Sequence, residues 1–148
     1  MSLENVWEEI SLILTRHLEF ATLVGDIIDI TKKVNAAVEE SRLRAGIVVV
    51  FVPGATGAVT TIEHEPGLLH DINAALERIA PERMEYAHDQ RWGDGNGHSH
   101  VRASLIGPSL TVPFLGGQLI LGTWQQIIFL ELDNRPRERI ITLQILGE

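Results

Sequence analysis

The segment from Tyr86 to Arg102 concentrates side chains that bind protons, metals or phosphates. It reads YAHDQRWGDGNGHSHVR and holds three of the six histidines of the chain, together with two aspartates and two arginines. A loop that only reversed the chain direction would not need so many ionisable groups. We therefore expect this histidine-rich segment (residues 86–102) to carry the functional site.

A metal site is the first chemistry that this segment suggests. We expect the chain from residue 98 onward to be a strand, and residues two apart in a strand point to the same face. His98 and His100 could then reach one ion, with His88 or Asp94 as a further ligand, and we assign the site to the three histidines. Imidazoles suit divalent metals, and we favour zinc over magnesium. The alternative is a polar hairpin edge with solvated histidines.

A small-residue loop, PGATGA at residues 53–58, is a candidate for anion binding. Small residues expose backbone N–H groups and hydroxyls that can surround a phosphate, so Gly54 and Thr56 are assigned to this role. The loop is not a P-loop, because no Gly-Lys-Ser/Thr follows it and no helix is expected there. A plain tight turn is an equally good interpretation.

Five further residues complete the predicted site. Glu63 and Asp94 are assigned to catalysis, because a carboxylate near the substrate can act as a general base. The residues assigned to substrate or anion binding are Asp71, Arg102 and Gln125. For Glu63 the alternative is a solvated position, and for Gln125 it is a hydrogen bond within the core.

Three arginines near the C-terminus, Arg135, Arg137 and Arg139, could also hold a phosphate. We favour a solvated turn as the interpretation of this segment. Glu131 and Asp133 share one face of the strand that we expect before it.

Length and charge restrict the class of protein. A chain of 148 residues fits one domain, which we place over residues 1–148. The net charge of −8 disfavours nucleic acid and anionic membrane surfaces as partners. There is no cysteine, so thiolate metal sites and disulfides are excluded. With no apolar run long enough to span a bilayer, we expect a cytoplasmic protein.

The elements that must position these residues predict an α+β fold with an antiparallel, β-rich core and two to three helices. Closely spaced apolar runs separated by Gly and Pro turns dominate the second half of the chain. The predicted helices are 31–41, capped by Thr31, and 66–80; the predicted strands are 6–17 (with helix as the alternative), 46–53, 59–65 and a series from residue 98 onward.

Four motifs in this order resemble the YjbQ-like family, also called UPF0047 or the secondary thiamine-phosphate synthase family. They are PGATGAVTTIE, YAHD, HVRASLIGPSLTVP and LGTWQ. The resemblance, which runs from about residue 6 to Glu148, implies a jelly-roll-like sandwich assembled as a homotrimer. It also implies weak synthesis of thiamine phosphate and a metal or an anion near the histidines.

The resemblance extends to individual positions. His88 matches the family's His-Asp pair, and His100 matches the histidine before a basic-Ala-Ser-Leu sequence. The remaining matches are Glu63 after the threonine-rich strand, Asp71 on the helix and Gln125 in the Trp-Gln pair. One position departs from the pattern: many relatives have histidine where this chain has Gly54, and we expect His98 to act in its place.

The resulting hypothesis is a metal-dependent enzyme that acts on a small phosphorylated compound. The resemblance suggests a weak thiamine-phosphate synthase activity for it. The alternative is a non-catalytic homotrimer that binds a metal or a phosphorylated metabolite, and a purely structural trimer is the third hypothesis.

Overall fold

The computed structural model describes residues 12–148, which form eight strands and four helices. In chain order they are β1 Leu12–Thr22, β2 Ile27–Asp29, α1 Thr31–Ser41, β3 Ala45–Phe51, β4 Gly57–Ile62, α2 Pro66–Ile79, α3 Ala87–Trp92, α4 Gly97–Ile106, β5 Ser109–Leu115, β6 Gln118–Leu119, β7 Gln126–Glu131 and β8 Arg137–Gly147.

Two antiparallel sheets enclose the main core. One has the strand order β1-β8-β3-β5-β6 and the other the order β2-β7-β4. Val50 and Leu143 of the first sheet lie in the same apolar cluster as Ile127 and Phe129 of the second, and α1 adds Val34. The prediction of an α+β fold with an antiparallel, β-rich core is therefore confirmed, although the described residues form four helices rather than two or three.

The three-stranded sheet is buried on both faces. Ile127 and Phe129 point into the main core, whereas the alternate residues Ile128 and Leu130 contact a second cluster that includes Leu76 of α2 and Ala103 of α4. Burial on both sides explains the continuous apolar run of β7. This packing places α4 over the outer face of the sheet and brings the histidine-rich segment to the end of β7.

The two predicted helices are confirmed as α1 and α2. The prediction that Thr31 caps α1 is wrong, because Ile30 occupies the N-cap position. The Thr31 hydroxyl instead accepts a hydrogen bond from the backbone N–H of Ile127 at 2.8 Å. Helix α2 starts at Pro66, and the side chain of Glu65 caps it by accepting from two backbone N–H groups.

The predicted strands need two corrections. Strand β1 confirms the strand interpretation for 12–17 and continues to Thr22, while residues 6–11 lie outside the described residues. The strand predicted at 59–65 is β4, which ends at Ile62, so Glu63 follows it instead of lying within it. The larger error is α4, because residues 98–106 were expected to be a strand.

Helix α4 forms there because its small residues suit contact with a sheet. Ser99, Ala103 and Ile106 recur at helical spacing; Ser99 and Ala103 are buried, and Ile106 packs partly against the second cluster. Small side chains on one face let a helix lie close to the strands below it. Tertiary packing therefore decided the conformation of a segment whose local sequence suggested a strand.

Two expectations concern the chain as a whole. In the part of the chain that the structure describes, no helix is both long and apolar enough to cross a membrane. The single domain over 1–148 and the cytoplasmic location stay predictions.

Candidate functional site

The histidine-rich segment folds as two helices, α3 and α4, joined by a glycine-containing turn. Gly93 ends α3 with φ of 70°, and the backbone N–H of Gly97 donates to Oδ1 of Asp89 at 2.8 Å. A Cβ atom at Gly97 would lie 2.3 Å from Cβ of Tyr86, so only glycine allows this contact. This close contact fixes α4 against α3.

The structure separates His98 from His100. Residues two apart on a helix point about 200° apart, so the shared face predicted from an extended chain is wrong. His98 is only 5% exposed, whereas His100 is half-buried. Within residues 12–148, no three His, Asp or Glu side chains are grouped so that they could hold a metal ion.

His88 and His100, however, come together from two helices. Their ring centroids lie 4.3 Å apart with an interplanar angle of 38°. Nδ1 of His88 is buried, lies 3.6 Å from Oδ1 of Asp89, and has no hydrogen-bond partner among the described residues. A buried, unpaired ring nitrogen next to a second imidazole fits two ligands of a metal site that needs at least one more.

His98 lines a cleft of about 360 Å³ between α2, α4 and the end of β7. Its Nδ1 is buried without a partner in the described part of the chain, as is Oδ1 of Asn96 two residues earlier. Burial, followed by the positive charge of Arg102, lowers the pKa of His98 below 6.5. The imidazole is therefore neutral at pH 7.

Arg102 is buried beside His98 and serves mainly to join two helices. Its Nε donates to the carbonyl of Ala80 at 2.8 Å, and its Nη2 donates to Glu77 at 2.6 Å. These contacts tie α4 to the C-terminal end of α2. Two of its three nitrogens are thus committed to acceptors within the chain, which limits the anion-binding role predicted for it.

A cluster of two carboxylates and two arginines lies where β7 ends and β8 begins. Arg139 pairs with Glu131 through Nε at 2.7 Å and Nη2 at 2.5 Å. Arg137 pairs with Asp133 through Nε at 2.6 Å and Nη2 at 2.5 Å. The four residues are called the carboxylate–arginine cluster below. For these two arginines the interpretation as a solvated turn is wrong.

Both carboxylates of this cluster are fully occupied. Glu131 also accepts from the hydroxyl of Thr22 at 2.7 Å and from the backbone N–H of Asp133 at 3.0 Å. Asp133 accepts further hydrogen bonds from the side chains of Thr56 and Asn96, each at 3.2 Å. Because their lone pairs are used, these carboxylates hold the arginines in place and are poorly suited to act as general bases.

The pKa of Asp133 reflects these contacts. Burial raises it, but hydrogen bonds from Asn96, Arg137 and Asn134, together with the charge of Arg137, outweigh burial and lower the pKa to about 2. The carboxyl group is therefore ionised throughout the neutral range and anchors Arg137.

Two residues predicted to bind an anion lie next to this cluster. Thr56 is buried, and its hydroxyl donates to Asp133 while it accepts from Nη2 of Arg139 at 3.0 Å. A Cβ atom at Gly54 would lie 3.4 Å from Nη1 of Arg139. The small-residue loop and the arginines thus form one surface.

Comparison with known proteins places the chain in a family. Residues 16–148 match the model of the family described as UPF0047 protein YjbQ-like. The chain belongs to the YjbQ-like family. It is 43% identical over 123 residues to a UPF0047 protein of Methanothermobacter thermautotrophicus, covering 83% of this chain and 84% of that protein. It is 32% identical over 123 residues to the UPF0047 protein YugU of Bacillus subtilis, covering 82% of this chain and 90% of that protein.

Solved structures agree with this assignment. A YjbQ-like protein of Sulfolobus solfataricus superposes with a TM-score of 0.83 at 33% identity, covering 93% of this chain and all of that one. A YjbQ/UPF0047 family protein of Clostridium acetobutylicum gives a TM-score of 0.76 at 36% identity, covering 86% of this chain and 98% of that one. The resemblance found in the sequence motifs is confirmed.

Other predicted site residues of this YjbQ-like chain lie elsewhere. Glu63 and Gln125 lie near the Ile62 end of β4, whereas Thr56 lies before Gly57 at its opposite end. The amide of Gln125 donates to Thr61 at 3.1 Å, and its side chain is exposed. The six residues of β4 span about 20 Å, so one small substrate does not reach both ends.

The two predicted aspartates are exposed. Asp71 lies on the surface of α2, and Asp94 lies in the turn between α3 and α4. The backbone carbonyl of Asp94 accepts a hydrogen bond from the side chain of Asn134 at 2.9 Å, so it contributes through its main chain. The described geometry gives neither carboxylate a partner that would orient it for proton transfer.

Sequence reasoning missed the importance of the carboxylate–arginine cluster, although a signal for it exists. Glu131 and Asp133 are two residues apart at the end of an apolar strand, and Arg137 and Arg139 repeat that spacing after a short turn. Two acidic residues and two basic residues with the same spacing on consecutive segments predict two ion pairs on one face of the sheet.

Proposed function

We propose that this YjbQ-like protein is an enzyme that acts on a small phosphorylated compound and uses a divalent metal held by His88 and His100. The observation that carries the proposal is the approach of the two imidazoles to 4.3 Å, with Nδ1 of His88 buried and unpaired among the described residues. A buried ring nitrogen without a hydrogen-bond partner destabilises the fold by about 1–3 kcal/mol, and folding does not require one. A ligand that satisfies it offsets this loss.

The residues around the pair have separate tasks. His88 and His100 would bind the metal, and Oδ1 of Asp89, 3.6 Å from Nδ1 of His88, would place a negative charge beside the ion. A bound zinc or magnesium ion supplies charge stabilisation for phosphate oxygens and for a leaving group. The remaining ligand positions would be taken by water, by substrate or by a residue of another copy of the chain.

Formation of thiamine phosphate is the specific reaction that the family resemblance suggests. A bond forms between the pyrimidine methylene carbon and the thiazole nitrogen, the carbon–oxygen bond to pyrophosphate breaks, and pyrophosphate leaves with the electron pair. The chain would contribute by orienting both reactants and by donating hydrogen bonds to the departing pyrophosphate.

We also propose the homotrimer that the resemblance suggests. It is supported by apolar side chains on the outer face of the five-stranded sheet, where Ile13 and Ile47 are 65% and 39% exposed. Both residues are in register with Leu146 of β8, so they form one row across three strands. Light scattering should show a trimer for the wild type and a smaller species for Ile47→Lys, whereas Glu40→Lys on α1 should stay trimeric.

A turnover assay tests the enzyme proposal. Protein freed of metal by chelation and then reloaded with zinc or magnesium is incubated with phosphorylated metabolites and with the two thiamine precursors. We expect product only after reloading and a strong loss of rate in His100→Ala, but not in His70→Ala, which alters an exposed histidine on α2. Saturable thermal stabilisation without product would support a binding protein instead, and turnover indifferent to metal would refute the proposal.

A further inference from the structure

We infer that the carboxylate–arginine cluster is the binding site for the phosphate or diphosphate group of the substrate, reached beside Gly54. The proposed function is needed only to say that this group belongs to a substrate. Binding of the free anion follows from the geometry of the cluster itself, and nothing in it depends on a metal.

Each guanidinium in the cluster keeps donors for a ligand. Arg137 and Arg139 use Nε and Nη2 to bind their carboxylates, while Nη1 of each donates to no acceptor among residues 12–148. Their side chains are 33% and 11% exposed, whereas Asp133 and Glu131 are fully buried. The surface of the cluster therefore presents N–H donors and hides the negative charges.

The arginines are also held in fixed positions before any ligand arrives. The Thr56 hydroxyl contacts both Asp133 and Arg139, so the two ion pairs form one hydrogen-bonded unit. The guanidinium fork matches phosphate geometry, and fixed side chains lose little rotamer entropy on binding. Because a carboxylate already neutralises each arginine, affinity depends on the free N–H groups and little on long-range attraction.

Gly54 controls access to this edge of Arg139. Its missing Cβ atom would lie 3.4 Å from Nη1, a distance at the limit of ordinary contact, so any longer side chain would cover the nitrogen. Gly54 is not among the glycines with positive φ, so the backbone there accepts other residues. The glycine at this position is thus explained by ligand access and not by backbone conformation.

Calorimetric titration with inorganic phosphate and with pyrophosphate tests this site on the full-length protein in a metal chelator. We expect saturable binding that Arg139→Lys weakens about tenfold or more, since lysine can still pair with Glu131 but loses the free donor edge. Gly54→Leu should weaken binding similarly by covering Nη1. The matched control, Arg135→Gln, alters an exposed arginine of the same turn and should bind as the wild type does.

The outcomes separate this inference from the proposed function. Anion binding that Arg139→Lys and Gly54→Leu abolish supports the site even if no metal binds and no turnover is found. The inference is overturned if the wild type binds neither anion, or if both variants bind as tightly as the wild type. Circular dichroism checks that each variant folds. If Arg139→Lys does not fold, the anion affinity of Gly54→Leu alone tests the site, because Gly54 contributes to neither ion pair.

Discussion

The hydroxyl oxygen of Thr56 lies 3.0 Å from Nη2 of Arg139, a residue 83 positions away in the sequence. This contact joins the loop before β4 to the start of β8, and through Asp133 it reaches Arg137 as well. A single hydroxyl therefore holds together two ion pairs from distant parts of the chain. The end of β7 is therefore an extensively hydrogen-bonded polar region.

Asp133→Asn should destabilise the protein strongly. The substitution leaves Arg137, whose side chain is 33% exposed, without its counter-charge, and losing hydrogen bonds to a charged group in this way costs about 1.5–3 kcal/mol. Urea unfolding at pH 7 measures the free energy of unfolding. Asp94→Asn, which alters an exposed carboxylate, is the control and should unfold at the wild-type midpoint; equal midpoints for both variants would contradict the role given to Asp133.

Stability should also fall in acid because of Asp133. Its pKa is lowered from 3.8 to about 2, so the unfolded chain takes up this proton at a higher pH than the folded protein. The stabilisation, about 2 kcal/mol at roughly 1.4 kcal/mol per unit of pKa, is complete above pH 4 and is lost as the pH falls toward 2. Unfolding curves across this range should show the loss in the wild type, and Asp133→Asn should lack this component.

A second pH dependence should come from His98. Because burial and Arg102 lower its pKa below 6.5, the unfolded state binds the proton first. Stability from the neutral imidazole is therefore present above pH 6.5 and decreases below it. Thermal unfolding between pH 7 and 5 should be less steeply pH-dependent in His98→Gln than in His17→Gln, which alters an exposed histidine of β1. Identical slopes would show that His98 does not titrate differently on folding.

Gly97→Ala should disturb the junction of α3 and α4. Its Cβ atom would overlap Cβ of Tyr86 at 2.3 Å, and neither atom lies at the end of a flexible side chain. Overpacking of this kind costs about 1–3 kcal/mol. Gly54→Ala, whose Cβ meets only the end of Arg139 at 3.4 Å, is the matched control. A melting temperature equal to that of the control would show that α3 and α4 can move apart without loss of stability.

The sequence was sufficient to predict an antiparallel, β-rich core, helices α1 and α2, and the family. Apolar periodicity and the Gly and Pro turns carry that information locally. Helix α4 could not be found in the same way, because the face that it buries consists of small residues such as Ser99 and Ala103, which give no clear apolar periodicity in the sequence. That one error wrongly placed His98 beside His100, whereas the predicted association of His88 with His100 is present.

The prediction of the site was incomplete for a similar reason. Gly54 and Thr56 were identified from local composition, and the structure places both against Arg139. The arginines themselves were assigned to a solvated turn, because their carboxylate partners become buried only when the two sheets pack. Residues that depend on long-range packing were thus the ones that sequence patterns described least well.

Zinc titration of the tag-free, chelator-treated protein tests the central claim most directly. If His88 and His100 are metal ligands, the wild type binds zinc stoichiometrically, and His88→Ala and His100→Ala each weaken binding by about tenfold or more because one coordination bond is lost. His70→Ala should bind zinc as the wild type does. Absence of zinc binding, or binding that neither substitution changes, would contradict the account.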